Sequence, residues 1–132
     1  MLQGNPGINE DILLVYSKVG GEAFFIELVN RFYEYVTNEP LLRPMYPKDL
    51  DPGKAHLSGF LVQYFGGPAQ YSVERGHPRL RQRHRLFAIG QAERDAWVSH
   101  MTAAVKSMDA PEYETKLLTE YFENTATLLM NR

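Results

Sequence analysis

The chain has 132 residues, 44% hydrophobic and 12% aromatic, with a formal net charge of −2 and no cysteine. That is the size of one domain with one core, roughly two-thirds of the unfolded surface being buried at this length. The charge balance excludes a nucleic-acid surface built on bulk positive charge, and the missing thiols exclude disulfide frameworks, thiolate zinc sites and cysteine nucleophiles.

A transition metal must therefore be held by His, Asp, Glu, Tyr or Met. No apolar run approaches the ~20 residues of a membrane span. The opening stretch, MLQGNPGINEDILL, lacks the basic region and long apolar core of a secretory signal, so a cytoplasmic chain is expected.

Asn9 to Val19 reads as a short helix. Asn9 can cap it, Glu10 and Asp11 suit its positive end, and Ile12, Val15, Tyr16 and Val19 share one face. Gly20-Gly21 stops it, because glycine takes the left-handed turn without steric cost. Glu22 to Val36 is a stronger helix, with Phe25, Leu28, Val29, Phe32, Tyr33 and Val36 in one broad apolar stripe. Tyr33 lies one turn beyond Val29 and so points inward with that stripe. Asn38-Glu39-Pro40 ends the run, and Leu41 to Pro47 reads as a single turn or tight corner among three prolines.

Asp51-Pro52 predicts the next start, the acid as cap and the proline in the first helical position. Leu57, Phe60, Leu61, Tyr64 and Phe65 lie on one side of that helix, and Gly66-Gly67-Pro68 closes it. A polar loop through Tyr71 and Ser72 to Gly76 follows. Pro78 can open a short helix containing Leu80 and His84, and Gly90 breaks the chain again. Glu93 to Met108 reads as a long helix with Trp97, Met101, Ala104, Val105 and Met108 facing in. Pro111 begins the last helix, whose buried side is Leu117, Leu118, Tyr121, Phe122, Thr125, Leu128 and Leu129. No segment alternates with the period of a strand, so the expected class is all-α.

Among the four histidines, His56, His77, His84 and His100, the context of His84 stands out. It sits in Arg81-Gln82-Arg83-His84-Arg85-Leu86-Phe87, within a local cationic cluster that also includes Arg75 and Arg79. Such a segment suits a ligand with a greasy face and an anionic edge, as haem has. An imidazole can bond the iron axially, and guanidinium groups can pair with the propionates. The other reading is a solvated basic face with His84 capping a helix. The second feature is Tyr33, Tyr46 and Trp97, each among apolar neighbours. A buried phenol or indole needs a partner, ordinarily a backbone carbonyl. Three such groups could instead converge on a diatomic ligand and stabilise negative charge on it. The phosphate-loop, dinucleotide, zinc-protease and nucleophile-elbow patterns are all missing.

Several pieces of the chain, in order, resemble the group II truncated haemoglobins. They are Val19-Gly20-Gly21, Arg31-Phe32-Tyr33, Pro40-Leu41-Leu42-Arg43-Pro44-Met45-Tyr46-Pro47, Phe60-Leu61-Val62-Gln63-Tyr64-Phe65-Gly66-Gly67-Pro68, Tyr71-Ser72, Gly76-His77-Pro78-Arg79-Leu80-Arg81-Gln82-Arg83-His84 and Glu93-Arg94-Asp95-Ala96-Trp97. The resemblance runs from about Val19 onward, with the last helix matched only in type.

It implies a two-over-two helical sandwich, a single globin domain over residues 1–132 with 1–10 as an extension, around haem b (iron protoporphyrin IX). It makes His84 the proximal metal ligand and Tyr33 the main distal donor, with Tyr46 and Trp97 beside it and Leu57 and Phe60 on the distal side. Gly53 falls near the place of the distal histidine in larger globins. Arg83, Arg81 and His56 are the candidates for the propionates, and Phe87, Leu80 and Met101 for the rest of the cofactor wall. Leu86 stands where many members have proline, and His56 where arginine often reaches a propionate.

The implied function is reversible binding of dioxygen with slow release. Nitric oxide, carbon monoxide and peroxide are further small ligands. Nitric oxide dioxygenation or a peroxidase-like reaction, fed by an external electron donor, is the alternative at the same haem. A second copy of the chain is a candidate partner; nucleic acid is not. A cofactor-free helical interaction module is the remaining alternative.

Overall fold

The computed structural model describes residues 10–68, 84 and 87–132. Among them the chain forms five α-helices and no strand: α1 (Val15–Val19), α2 (Glu22–Thr37), α3 (Asp51–Tyr64), α4 (Gln91–Ser107) and α5 (Glu112–Leu128), with 3-10 turns at Glu10–Leu14 and Arg43–Met45. Helix α2 packs against α3 and α4, and α4 packs against α5. This is the all-α class read from the periodicity and the two-over-two sandwich that the resemblance implies.

The stripe read on α2 is its buried face: Phe25, Leu28, Val29, Phe32, Tyr33 and Val36 are all buried, and Phe24 joins them. Phe25, Phe32, Phe65 and Phe122 are among the fully buried side chains. Burial of a side chain of this size contributes about 1.5–3 kcal/mol. Phe25 stacks on Phe65 at 5.8 Å, tying α2 to the end of α3. Phe32 meets Trp97 edge-on at 5.1 Å, and Trp97 lies 5.7 Å from Phe122. A continuous aromatic seam thus runs from α2 through α4 to α5.

Several boundaries differ from the sequence reading. The single helix expected over Asn9 to Val19 is a 3-10 turn followed by a short α-helix, and Asn9 lies outside the described residues. The turn is pressed against the end of α3. Gly66 has φ +104°, and a Cβ there would fall 1.8 Å from the Leu13 carbonyl oxygen, so only glycine fits. Asp51 does not cap α3 but is its first residue; its own N–H is taken by Asp49 Oδ1 at 3.1 Å.

Helix α4 starts at Gln91 rather than Glu93. Glu93 folds back so that its Oε1 accepts the Gly90 N–H at 2.9 Å, half of a capping box with glycine in the cap position. Leu128, expected inside, is 54% exposed, because Ala126 continues the buried row one turn beyond Phe122. Tyr64, expected on the apolar side of α3, is exposed at 38%.

The corner after α2 is braced by polar bonds. The Glu39 carbonyl accepts the Leu42 and Arg43 N–H groups at 3.1 and 2.8 Å. Its Oε1 lies 2.7 Å from His100 Nε2 on α4. The Arg43 guanidinium donates to the carbonyls of Tyr46, Pro47 and Lys48. The corner therefore presents Tyr46 in a defined place.

Candidate functional site

A cavity of about 460 Å³ opens where α2, the corner after it, α3, α4, α5 and the stretch before α4 meet. That is within the roughly 300–1,000 Å³ of small-molecule sites. Tyr33, Tyr46 and Trp97 all line it. Tyr33 is buried and meets Tyr46 edge-on, ring centroids 5.6 Å apart. Trp97 lies close enough to the Tyr46 hydroxyl to oppose part of the rise in its pKa. Sequence reasoning named all three residues.

The titration of these phenols is set by burial. Burial pushes the Tyr33 phenol above its ordinary range. Tyr46 is pushed up further, first by burial and then by the neighbouring Tyr33, with Trp97 opposing. Both therefore keep their protons and act as donors at neutral pH. Gly53 on α3 lines the same space, and a Cβ on it would stand only 2.8 Å from the Tyr33 hydroxyl.

The lining also contains His84, half-buried, and the exposed Phe87, whose ring lies 6.4 Å from the imidazole. Leu57 and Phe60 line the cavity from α3, as expected, and His56 reaches its lining from an exposed position. Met101 is not among the lining residues; it is fully buried in the core on the stripe of α4. Leu80, Arg81 and Arg83 lie outside the described residues, as do the rest of the arginine cluster and His77. His100 is elsewhere, stacked on Tyr35 at 5.2 Å and bonded to Glu39.

Sequence reasoning missed Ile89, Phe122, Ala126 and Leu129 as lining residues, although the apolar row of α5 was visible. It also missed Arg94, which lines the cavity while its guanidinium bonds Thr127 Oγ1 at 3.0 Å and Asp95 at 3.0 Å.

The donor set fits haem. No group of three or more His, Asp or Glu side chains among the described residues could cage a bare metal ion. An imidazole such as that of His84 in a mainly apolar slot suits instead a metal that comes with ligands of its own, as haem iron does. A helical sandwich enclosing such a slot, with buried phenols and an indole at hand, defines a globin-type haem protein.

Comparison with known proteins agrees. The bacterial-like globin family profile matches residues 14–131. The group 2 truncated hemoglobin YjbI of Bacillus subtilis is 39% identical over 112 residues, covering 85% of each chain. The hemoglobin of Chloroflexus aurantiacus superposes with a TM-score of 0.86 at 50% identity, covering 89% of this chain and 98% of the other. The group II truncated hemoglobin of Bacillus anthracis does so with a TM-score of 0.84 at 36% identity, covering 89% and 90%. The chain belongs to the bacterial-like globin family and, within it, to the group II truncated haemoglobins.

Membership implies a haem cofactor and the binding of gaseous ligands such as oxygen, which displaces the cofactor-free module. No helix among the described residues is long and apolar enough to cross a membrane.

Proposed function

We propose that the chain binds dioxygen reversibly at haem b held through His84 and releases it slowly. The observation that carries this is one cavity lined both by the His84 imidazole and by the Tyr33, Tyr46 and Trp97 group. When bound, haem supplies an iron centre that takes a diatomic gas and shifts negative charge onto it. The chain's own contribution is two neutral phenol donors, kept protonated by burial.

Trp97, which lines the cavity beside Tyr46, is a further candidate donor to the ligand. Each neutral hydrogen bond contributes about 0.5–1.5 kcal/mol net. Two such bonds slow release by roughly five- to 150-fold. The exposed His56 lines the cavity and supports an anionic ligand edge on its side. A similar structure, 38% identical, is described as an oxygen-avid truncated haemoglobin from Bacillus subtilis, in line with slow release.

Stopped-flow displacement of oxygen from the ferrous protein tests the proposal. Tyr33→Phe should release oxygen roughly two- to twelvefold faster, and Trp97→Phe should also release it faster. Unchanged rates in both single variants and in the double variant would remove these residues from ligand binding.

A further inference from the structure

The segment carrying His84 runs up to α4 with no helix or strand among its described residues to hold it, yet it lies against the cavity. One residue far away in the chain fastens it. Asn131 Nδ2 donates to the Phe87 carbonyl at 2.8 Å and, more weakly, to the His84 carbonyl at 3.4 Å. Asn131 Oδ1 accepts the Ile89 N–H at 2.8 Å. The backbone N–H groups of Asn131 and Arg132 both donate to the Ile89 carbonyl, at 2.9 and 3.3 Å. Within the segment, the Phe87 N–H closes a turn onto the His84 carbonyl at 3.0 Å. A single amide side chain thus supplies the donor and acceptor that a neighbouring strand would otherwise provide. It does so just beyond α5, the helix that contributes Phe122 and Ala126 to the cavity lining.

We propose that Asn131 is a positioning residue for the His84 imidazole, a clamp that sets the backbone from which the axial ligand projects. A metal–imidazole bond depends on ring direction, and that direction is only as well defined as the groups that hold the ligand's own frame. The carbonyl of His84 and the amides of Phe87 and Ile89 are that frame. The Asn131 side chain fixes it relative to the end of α5, so the distance from His84 to the cavity follows the helix and not a free loop. This rests on the reading of His84 as the iron ligand.

The test uses the full-length haem-loaded protein with Asn131→Ala and Asn131→Asp. Alanine removes both side-chain bonds. Aspartate keeps an acceptor for the Ile89 N–H but sets a carboxylate oxygen against the Phe87 and His84 carbonyls. The backbone bonds to Ile89 survive in both, which protects folding. Resonance Raman of the ferrous protein reads the iron–imidazole stretch directly, and transfer of haem to excess apomyoglobin reads the hold on the cofactor.

The expected result is a displaced or broadened stretch in both variants, with haem transfer faster by roughly tenfold. A stretch unmoved in both variants, whatever their melting temperatures, overturns the proposal. His84→Ala separates the two layers: loss of the stretch there upholds His84 as ligand, and its persistence would bring down that reading instead.

Discussion

Gly53→Ala is the sharpest perturbation the structure offers, because it acts on the ligand pocket through one contact. A Cβ at residue 53 would lie 2.8 Å from the Tyr33 hydroxyl and 3.7 Å from its ring carbon Cζ. Ordinary contact begins at 3.4 Å, so the hydroxyl must yield about 0.6 Å. It cannot simply swing aside, since Phe32 and Tyr46 each meet the Tyr33 ring edge-on at 5.6 Å. A shift of that size carries a hydrogen bond out of its ~2.7–3.2 Å range. Losing the bond costs about 0.5–1.5 kcal/mol, so oxygen should leave roughly two- to twelvefold faster.

Folding should survive the change, because alanine in a helix is favoured over glycine by ~1 kcal/mol. Stopped-flow oxygen release is the assay, run on Gly53→Ala, Tyr33→Phe and the double variant. With the hydroxyl gone, the nearest remaining atom is the ring carbon at 3.7 Å, an ordinary contact, so alanine should add nothing in the Tyr33→Phe background. An equal acceleration in both backgrounds, or none in either, would refute the reasoning.

Other outcomes follow from the packing and the titrating groups. Phe32→Ala removes a fully buried ring wedged between Tyr33 and Trp97, and should lower the unfolding free energy by about 3–5 kcal/mol in denaturant titration. The His100 bond, then the Leu41 N–H, holds the Glu39 carboxyl below its ordinary range. Its stabilisation is therefore complete above the ordinary carboxylate pKa and is lost as pH falls through the depressed value. Glu39→Gln should flatten that acid limb of the stability–pH curve.

At the alkaline end, burial pushes Tyr121 up to about 12 from an ordinary 10.0. Its contribution is present below pH 10.0 and lost as pH rises toward about 12. Ultraviolet titration should show the Tyr33, Tyr46 and Tyr121 phenolates forming after those of tyrosines not raised by burial, and Tyr121→Phe should reduce the alkaline loss of stability.

Much of this was legible in the chain because local periodicity and punctuation carry it. The position of Tyr33 one turn past Val29 placed it in the buried stripe of α2, and the prolines around Tyr46 marked a corner. Gly66-Gly67-Pro68 marked a stop, although the reason that Gly66 must be glycine, a Leu13 carbonyl at its side, is a contact across the fold. Periodicity also had a limit: Met101 and Trp97 both belong to the inward side of α4, but only Trp97 reaches the cavity.

Hydrogen-bond partners were the least visible layer. The residue types of Trp97 and Tyr46 suggested donors, and their packing beside Tyr33 was not visible in the sequence. The Asn131 clamp joins positions more than forty residues apart through an ordinary polar residue, with no pattern to mark it.

The account stands on the imidazole of His84 as the protein's bond to iron. Titrating the haem-free protein with haemin, and following the Soret band of wild type beside His84→Ala, tests that bond most directly. Wild type should saturate at one haem per chain, and the variant should bind weakly and without the wild-type spectrum. Identical saturation and identical spectra in the two proteins would contradict it.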